Sequence, residues 1–177
     1  MSMSKNIARL AVTAGLTAAL SFGGVMAPVT MAFAADANGS VTIENVEGNT
    51  TEFQGYQIFK ADVDSGKVAN ITWANDSVEK AVKAVIEKED KSYAGKTAQD
   101  AADWITNNVT GTNETTRVAP DNIAYKIADA VDGLTPSATT TSKTASGLAH
   151  GYWLFVTKTD TIGVGEAGTS PIFTVVG

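Results

Sequence analysis

Apolar and polar positions follow two different periods along this chain, and the switch between them divides it into parts. From Ser40 to Val46 the alternation is two: Val41 and Ile43 point one way, Thr42 and Glu44 the other, as in a half-buried strand. Glu47-Gly48-Asn49 reads as a turn. Glu52–Val63 is a second strand whose alternation slips near Gly55, a position suited to a bulge. Asp64-Ser65-Gly66 closes a hairpin, and Lys67–Ala74 returns with Ala69, Ile71 and Trp73 on one face. The period then lengthens. Asn75 or Asp76 caps a helix running to Asp90, with Val78, Val82, Val85 and Ile86 on one side. Thr97 and Asp100 have the spacing of a capping box before a helix at Ala98–Val109, which is expected to bury Ala101, Trp104, Ile105 and Val109. Pro120 suits the first turn of a third helix with Ile123, Ile127, Ala128 and Val131 as its stripe, and Gly133 stops it.

Period two returns at the end. Six of the eight residues from Thr139 to Ser146 are Thr or Ser. By composition this is a linker; by β propensity Thr139–Thr144 is an edge strand, the preferred reading. Tyr152–Val156 is apolar on both faces, and Ile172–Val176 is a last strand begun after Pro171. The two are expected to form an antiparallel pair deep in the core. Strands, then grouped helices, then strands, predict a mainly β (α+β) domain: a β sandwich with a three-helix insertion at about 76–133. A strand apolar on both sides fits a sheet covered by a second sheet on one face and by the helices on the other.

The first 34 residues have a different composition. Lys5 and Arg9 precede a stretch of Ala, Leu, Val, Gly and Thr, and Ala32-Phe33-Ala34 is an A-x-A site. This is the pattern of a secretory signal peptide cleaved between Ala34 and Ala35. Residues 35–177 then form one domain, large enough for its own core. The leader holds two basic and no acidic residues, so the remainder carries 11 basic and 19 acidic side chains, a net charge of −8. So acidic a chain does not hold nucleic acid or an anionic membrane by bulk electrostatics. With no cysteine there is no disulfide to supplement the core.

Candidate chemistry is sparse. His150 is the only histidine, and with no cysteine a zinc site would need carboxylates for nearly every ligand. It reads as a turn residue before Gly151. Asp62-Val63-Asp64-Ser65-Gly66 lacks the later ligand positions of a calcium loop and reads as a hairpin turn. Gly163, Gly165 and Gly168 do not lie between a strand and a helix, so they are loop chemistry, not a phosphate cradle. Trp73, Trp104 and Trp153 would make a sugar platform if they shared a face; each sits in an apolar pattern that favours core packing. Asn49, Asn70, Asn75, Asn108 and Asn113 begin Asn-x-Ser/Thr sequons, which matter only in a host that glycosylates them. No metal, cofactor or catalytic residue is expected.

Gly39-Ser40-Val41-Thr42-Ile43, Tyr56-Gln57-Ile58-Phe59-Lys60-Ala61, the run Gly147–Val156 and Gly165–Ile172 together resemble the N-terminal domain of sortase-assembled Gram-positive pilins. The resemblance covers most of residues 39–177. Its motifs are moderately specific, since a Gly-Tyr-x-Leu strand occurs in other bacterial surface sandwiches. It implies an Ig-like, pilin-type β sandwich in an exported, non-enzymatic subunit of a surface fimbria, serving fibre assembly and cell adhesion. Its partners would be other pilin subunits and a pilin-type sortase, at the cell wall of a Gram-positive organism. The family's linking Lys normally lies at or just past the end of this domain. The chain ends at Gly177 with no such motif and no sorting signal, which suggests a fragment of a longer pilin. Family members also form internal Lys–Asn/Asp bonds, with the acceptor on the last strand. Ile172–Val176 holds neither Asn nor Asp, so no such bond is expected, and Lys60, a weak candidate donor, is expected to be solvated. The alternative is a secreted binding domain recognising a host glycan or protein through the helices or a Trp face.

Overall fold

A computed structural model of the chain describes residues 39–43, 50–64, 67–109, 121–141, 144–164 and 171–177, and the backbone pairing of 12–14. Among these residues are two antiparallel sheets and three helices. The smaller sheet has the order β1 (Val12–Ala14), β2 (Gly39–Ile43), β6 (Thr144–Leu148). The larger runs β4 (Lys67–Trp73), β3 (Glu52–Asp64), β7 (Gly151–Lys158), β8 (Ile172–Val176). A short strand, β5 (Ala138–Thr140), pairs with the first part of β3, on the side where β4 pairs with the last part. The helices are α1 (Asp76–Glu89), α2 (Ala98–Asn108) and α3 (Ile123–Val131). None is long and apolar enough to cross a membrane.

The larger sheet is the middle layer. Along β7, Tyr152 and Leu154 join the core beneath the helices, while Trp153 and Phe155 join a second core with Val41 and Ile43 of the smaller sheet. In β8, Phe173 and Val175 face the helices, and Ile172 and Val176 face the smaller sheet. Period-two alternation sends successive side chains to opposite faces, so a strand buried on both sides must be apolar throughout. This is why Tyr152–Val156 showed no alternation.

β3 keeps its inward face by a bulge, and the bulge is not at Gly55. The register with β7 slips between Gln57 and Phe59, where Ile58 is the extra residue. Before the slip Tyr56 and Ile58 face the helices; after it Phe59, Ala61 and Val63 do. Lys60 and Asp64 turn to solvent as a result. Gly55 has another role: a β-carbon there would stand 2.8 Å from Cε1 of Phe155, so the ring packs directly on its backbone. In β4 a second irregularity centres on Asn70, whose φ is +55°. It brings Val68, with Ile71 and Trp73, onto the helix side in place of Ala69.

The helices begin where their side chains can cap them. Asn75 accepts from the Val78 N–H at 2.9 Å. Thr97 and Asp100 form a reciprocal capping box at 3.1 and 2.9 Å. Asn122 caps α3 by accepting from the Ala124 N–H, and Gly133 follows its end at φ +93°. Pro120 lies outside the described residues. The Thr/Ser-rich stretch serves both sheets: Ala138–Thr140 belongs to the larger and Thr144–Leu148 to the smaller. The chain changes sheets there, a corner-forming device of packed sheets.

Candidate functional site

Polar chemistry in the folded body gathers at the corner where β6 turns into β7, opposite the β3 bulge. Gly151 sits there at φ +148°, a conformation that strains any other residue, and a β-carbon would strike the Phe59 carbonyl oxygen. The close approach lets the His150 carbonyl accept twice, from Gln57 Nε2 at 3.1 Å and from the Ala61 N–H at 3.3 Å. Gln57 is thereby satisfied although it is buried. Its own N–H donates to Ser137 Oγ at 3.1 Å, which ties the approach to β5 into the same corner. His150 is half-buried, and its Nδ1 has no hydrogen-bond partner among the described residues. It is a turn residue whose backbone does the structural work.

Lys60 is exposed one pair away. It stands opposite Thr72 on β4 and Gly151 on β7, and neither carries a carboxyl or carboxamide that an amine could condense with. Asp62 accepts from Asn70 Nδ2 at 2.6 Å, so its carboxylate braces the β4 irregularity. Among the described residues no group of three or more His, Asp or Glu side chains is placed to hold a metal ion.

The three tryptophans do not share a face. Trp153 is buried between the sheets, donates from Nε1 to the Ala149 carbonyl at 2.8 Å and stacks with Phe155 at 5.8 Å between centroids. Trp73 packs against the helix-side core and lies 4.7 Å from the Phe59 ring. Trp104 packs on that same core, its Nε1 donating to Asp90 at 3.0 Å. Of the sequon asparagines, Asn75 is occupied as a helix cap, and Asn108 donates to the Trp104 carbonyl at 2.7 Å. Asn70 braces Asp62, and Asn49 and Asn113 lie outside the described residues, as do Ala34 and Ala35.

No protein-family model, curated protein or solved structure matches this chain.

The electrostatic perturbations support folding more than chemistry. Hydrogen bonds from Ser92 Oγ, Trp104 Nε1 and the Ser92 N–H hold the Asp90 carboxyl below its usual range. Backbone N–H groups of Lys96 and Thr97, then the Thr97 hydroxyl, do the same for Asp100. Burial pushes the Tyr152 phenol well up, with Asp103 adding to it. Burial likewise raises Tyr93, reinforced by Asp100, Glu87 and Asp103. Each shift has a structural source at a helix end or in the core. Of the edge strand that the sequence suggested at Thr139–Thr144, Thr139 and Thr140 lie in β5 and Thr144 opens β6.

Proposed function

We propose that this chain is an exported structural subunit domain of a surface fibre of the Gram-positive pilin type, working by contact with neighbouring subunits. Export follows from the leader, with cleavage between Ala34 and Ala35. The observation that carries the reading is where the resemblance-bearing segments lie. Tyr56–Ala61 and Gly151–Val156, some 90 residues apart, are paired strands in the centre of the larger sheet, with Tyr56 opposite Leu154 and Lys60 opposite Gly151. Gly39–Ile43 covers one face of that sheet, and Ile172 continues it on β8. The described residues of the stretches that resemble pilins are thus neighbours across the two sheets, which supports the reading, and the helices cover the other face of the larger sheet. The β3–β7 ladder from Glu52↔Lys158 to Lys60↔Gly151 is a long antiparallel pair of the kind suited to a load-bearing module. In this reading a pilin-type sortase forms the linkage to a neighbour, and the domain supplies packing surface.

The test is made on cells that produce the protein. An antibody raised against this chain should label SDS-resistant ladders of high mass in cell-wall extracts, and the ladders should collapse when the pilin-type sortase is deleted. A single species released to the medium, unchanged by that deletion, favours a secreted binding domain instead.

A further inference from the structure

The smaller sheet contains a near-repeat. β1 is Val12-Thr13-Ala14, and the strand it pairs with includes Val41-Thr42-Ile43. Their antiparallel register sets Val12 opposite Ile43, Thr13 opposite Thr42 and Ala14 opposite Val41. A two-fold axis through Thr42 would set β2 of a second copy in the same register, with its Val41 opposite Ile43 and its Thr42 opposite Thr42. β1 therefore occupies, residue for residue, the place another copy's β2 would take, with Ala14 standing for Ile43.

β2 lies between β1 and β6. Val41 and Ile43 are buried against the larger sheet, so their face cannot turn outward. Thr42 lies on the outer face, with its hydroxyl 3.2 Å from that of Thr144. β1 also runs near β8, the apolar last strand of the larger sheet. Loss of residues 1–34 would remove β1, leave the outer side of β2 without a ladder and uncover the neighbourhood of β8. An edge of unpaired N–H and C=O groups beside apolar residues is a template for strand addition.

We propose that, once the leader is removed, β2 of a second copy replaces β1, giving a two-fold antiparallel contact centred on Thr42. The smaller sheets then run on through both chains as β6-β2-β2-β6. The contact is isologous and closes on itself. It joins two subunits side by side and does not lengthen a fibre. In the unprocessed chain β1 is tethered to the same edge, and its high effective concentration keeps the second copy out. The inference rests on the leader cleavage of the proposed function and is separable from it by mass.

The full chain is produced in two ways, in the cytoplasm with its leader and by export from a Gram-positive host. Intact mass identifies the first residue, and light scattering after gel filtration gives the assembly. The chain beginning at Ala35 should show a doubled mass that falls to the single value on dilution; the unprocessed chain should stay single. Thr42→Lys and Thr42→Glu, each placing like charges opposite one another across the axis, should each leave the processed chain single with an unchanged far-ultraviolet spectrum. Mixing the two variants should restore the doubled mass. A processed chain that stays single at its highest soluble concentration overturns the proposal. So do equal dimerisation of the unprocessed chain, a Thr42→Lys variant that still doubles, and a mixture that does not. An exported chain retaining Met1 removes the cleavage reading and this inference together, and its mass tells that result apart from the others.

Discussion

The two faces of the larger sheet are buried by different means. Toward the helices the core sets aromatic side chains of the sheet, Tyr56, Phe59, Tyr152 and Phe173, against small and branched ones: Ala98, Ala101, Ala102 and Ala124 among Val78, Val82, Ile86, Ile105 and Ile127. Each helix starts at its own cap, and Lys126 reaches Glu89 at 2.8 Å to clamp α3 to α1. Toward the smaller sheet Phe53, Trp153 and Phe155 pack against Val41, Ile43 and Ile172, and among the described residues no helix contributes. On that side β2 pairs with β6 about a hundred residues away. One face is thus assembled from elements that each specify themselves, and the other exists only when distant strands meet. Non-local pairing must overcome loop-closure entropy before it contributes, so the sheet–sheet face should depend more on each large side chain.

The largest effect expected is on the sheet–sheet face. Phe155→Ala removes a ring stacked on Trp153 and packed on Gly55, and should cost about 3–5 kcal/mol of unfolding free energy in urea titrations. Ile105→Ala, on the helix face, should cost less, about 2–3 kcal/mol, because the small residues around it can close part of the cavity. Equal losses, or a greater loss at Ile105, would sink the idea that the two faces differ.

Gly151→Ala tests the corner that joins the faces. At φ +148° and against the Phe59 carbonyl it should cost about 1–3 kcal/mol. Gly133→Ala, with φ +93° but open space around it, should cost less, about 1 kcal/mol. If the two lower the urea midpoint equally, only backbone conformation matters at the corner and the close approach does not.

The smallest effect belongs to pH. Asp90 and Asp100 are held below their ordinary carboxylate range in the folded chain, so the unfolded chain binds protons first. Their contribution is complete above the unfolded carboxylate pKa and disappears as pH falls through the lowered folded value. Asp100→Asn should therefore flatten the loss of thermal stability between neutral and acidic pH, by about 0.3–1 kcal/mol for a charge at an exposed helix start. The melting profile of Phe155→Ala should keep the wild-type slope with pH. A Phe155→Ala slope as flat as that of Asp100→Asn would mean that the acid sensitivity does not originate at the helix starts.

Much of the helix face was legible in the sequence, down to Asn75, the Thr97–Asp100 box and the stripes Val78-Val82-Ile86 and Ile123-Ile127-Val131. Those signals act within one or two turns, so the residues that cause them sit beside one another in the chain. The strands were legible as strands, but their irregularities were not. The slip expected near Gly55 lies instead at Ile58, between the pairs Gln57↔Trp153 and Phe59↔Tyr152, because a bulge is located by what the partner strand can accept. Asn70 likewise moved Val68 inward where alternation had chosen Ala69. The Thr/Ser-rich stretch offered a linker or an edge strand, and the chain uses it to change sheets.

Composition and periodicity by themselves determined the mainly β character, the three helices between strands and the need to cover Tyr152–Val156 on both sides. Those follow from the spacing of apolar groups, and spacing is written along the chain. Tertiary structure alone decided which strands share a sheet, where β3 and β4 bulge, and that Lys60 and the three tryptophans meet in no common site. It also decided that Val12-Thr13-Ala14 lies along Val41-Thr42-Ile43. The reason is that pairing is a contest among all available edges, and its outcome depends on closing long loops and filling two cores at once, which no local pattern records.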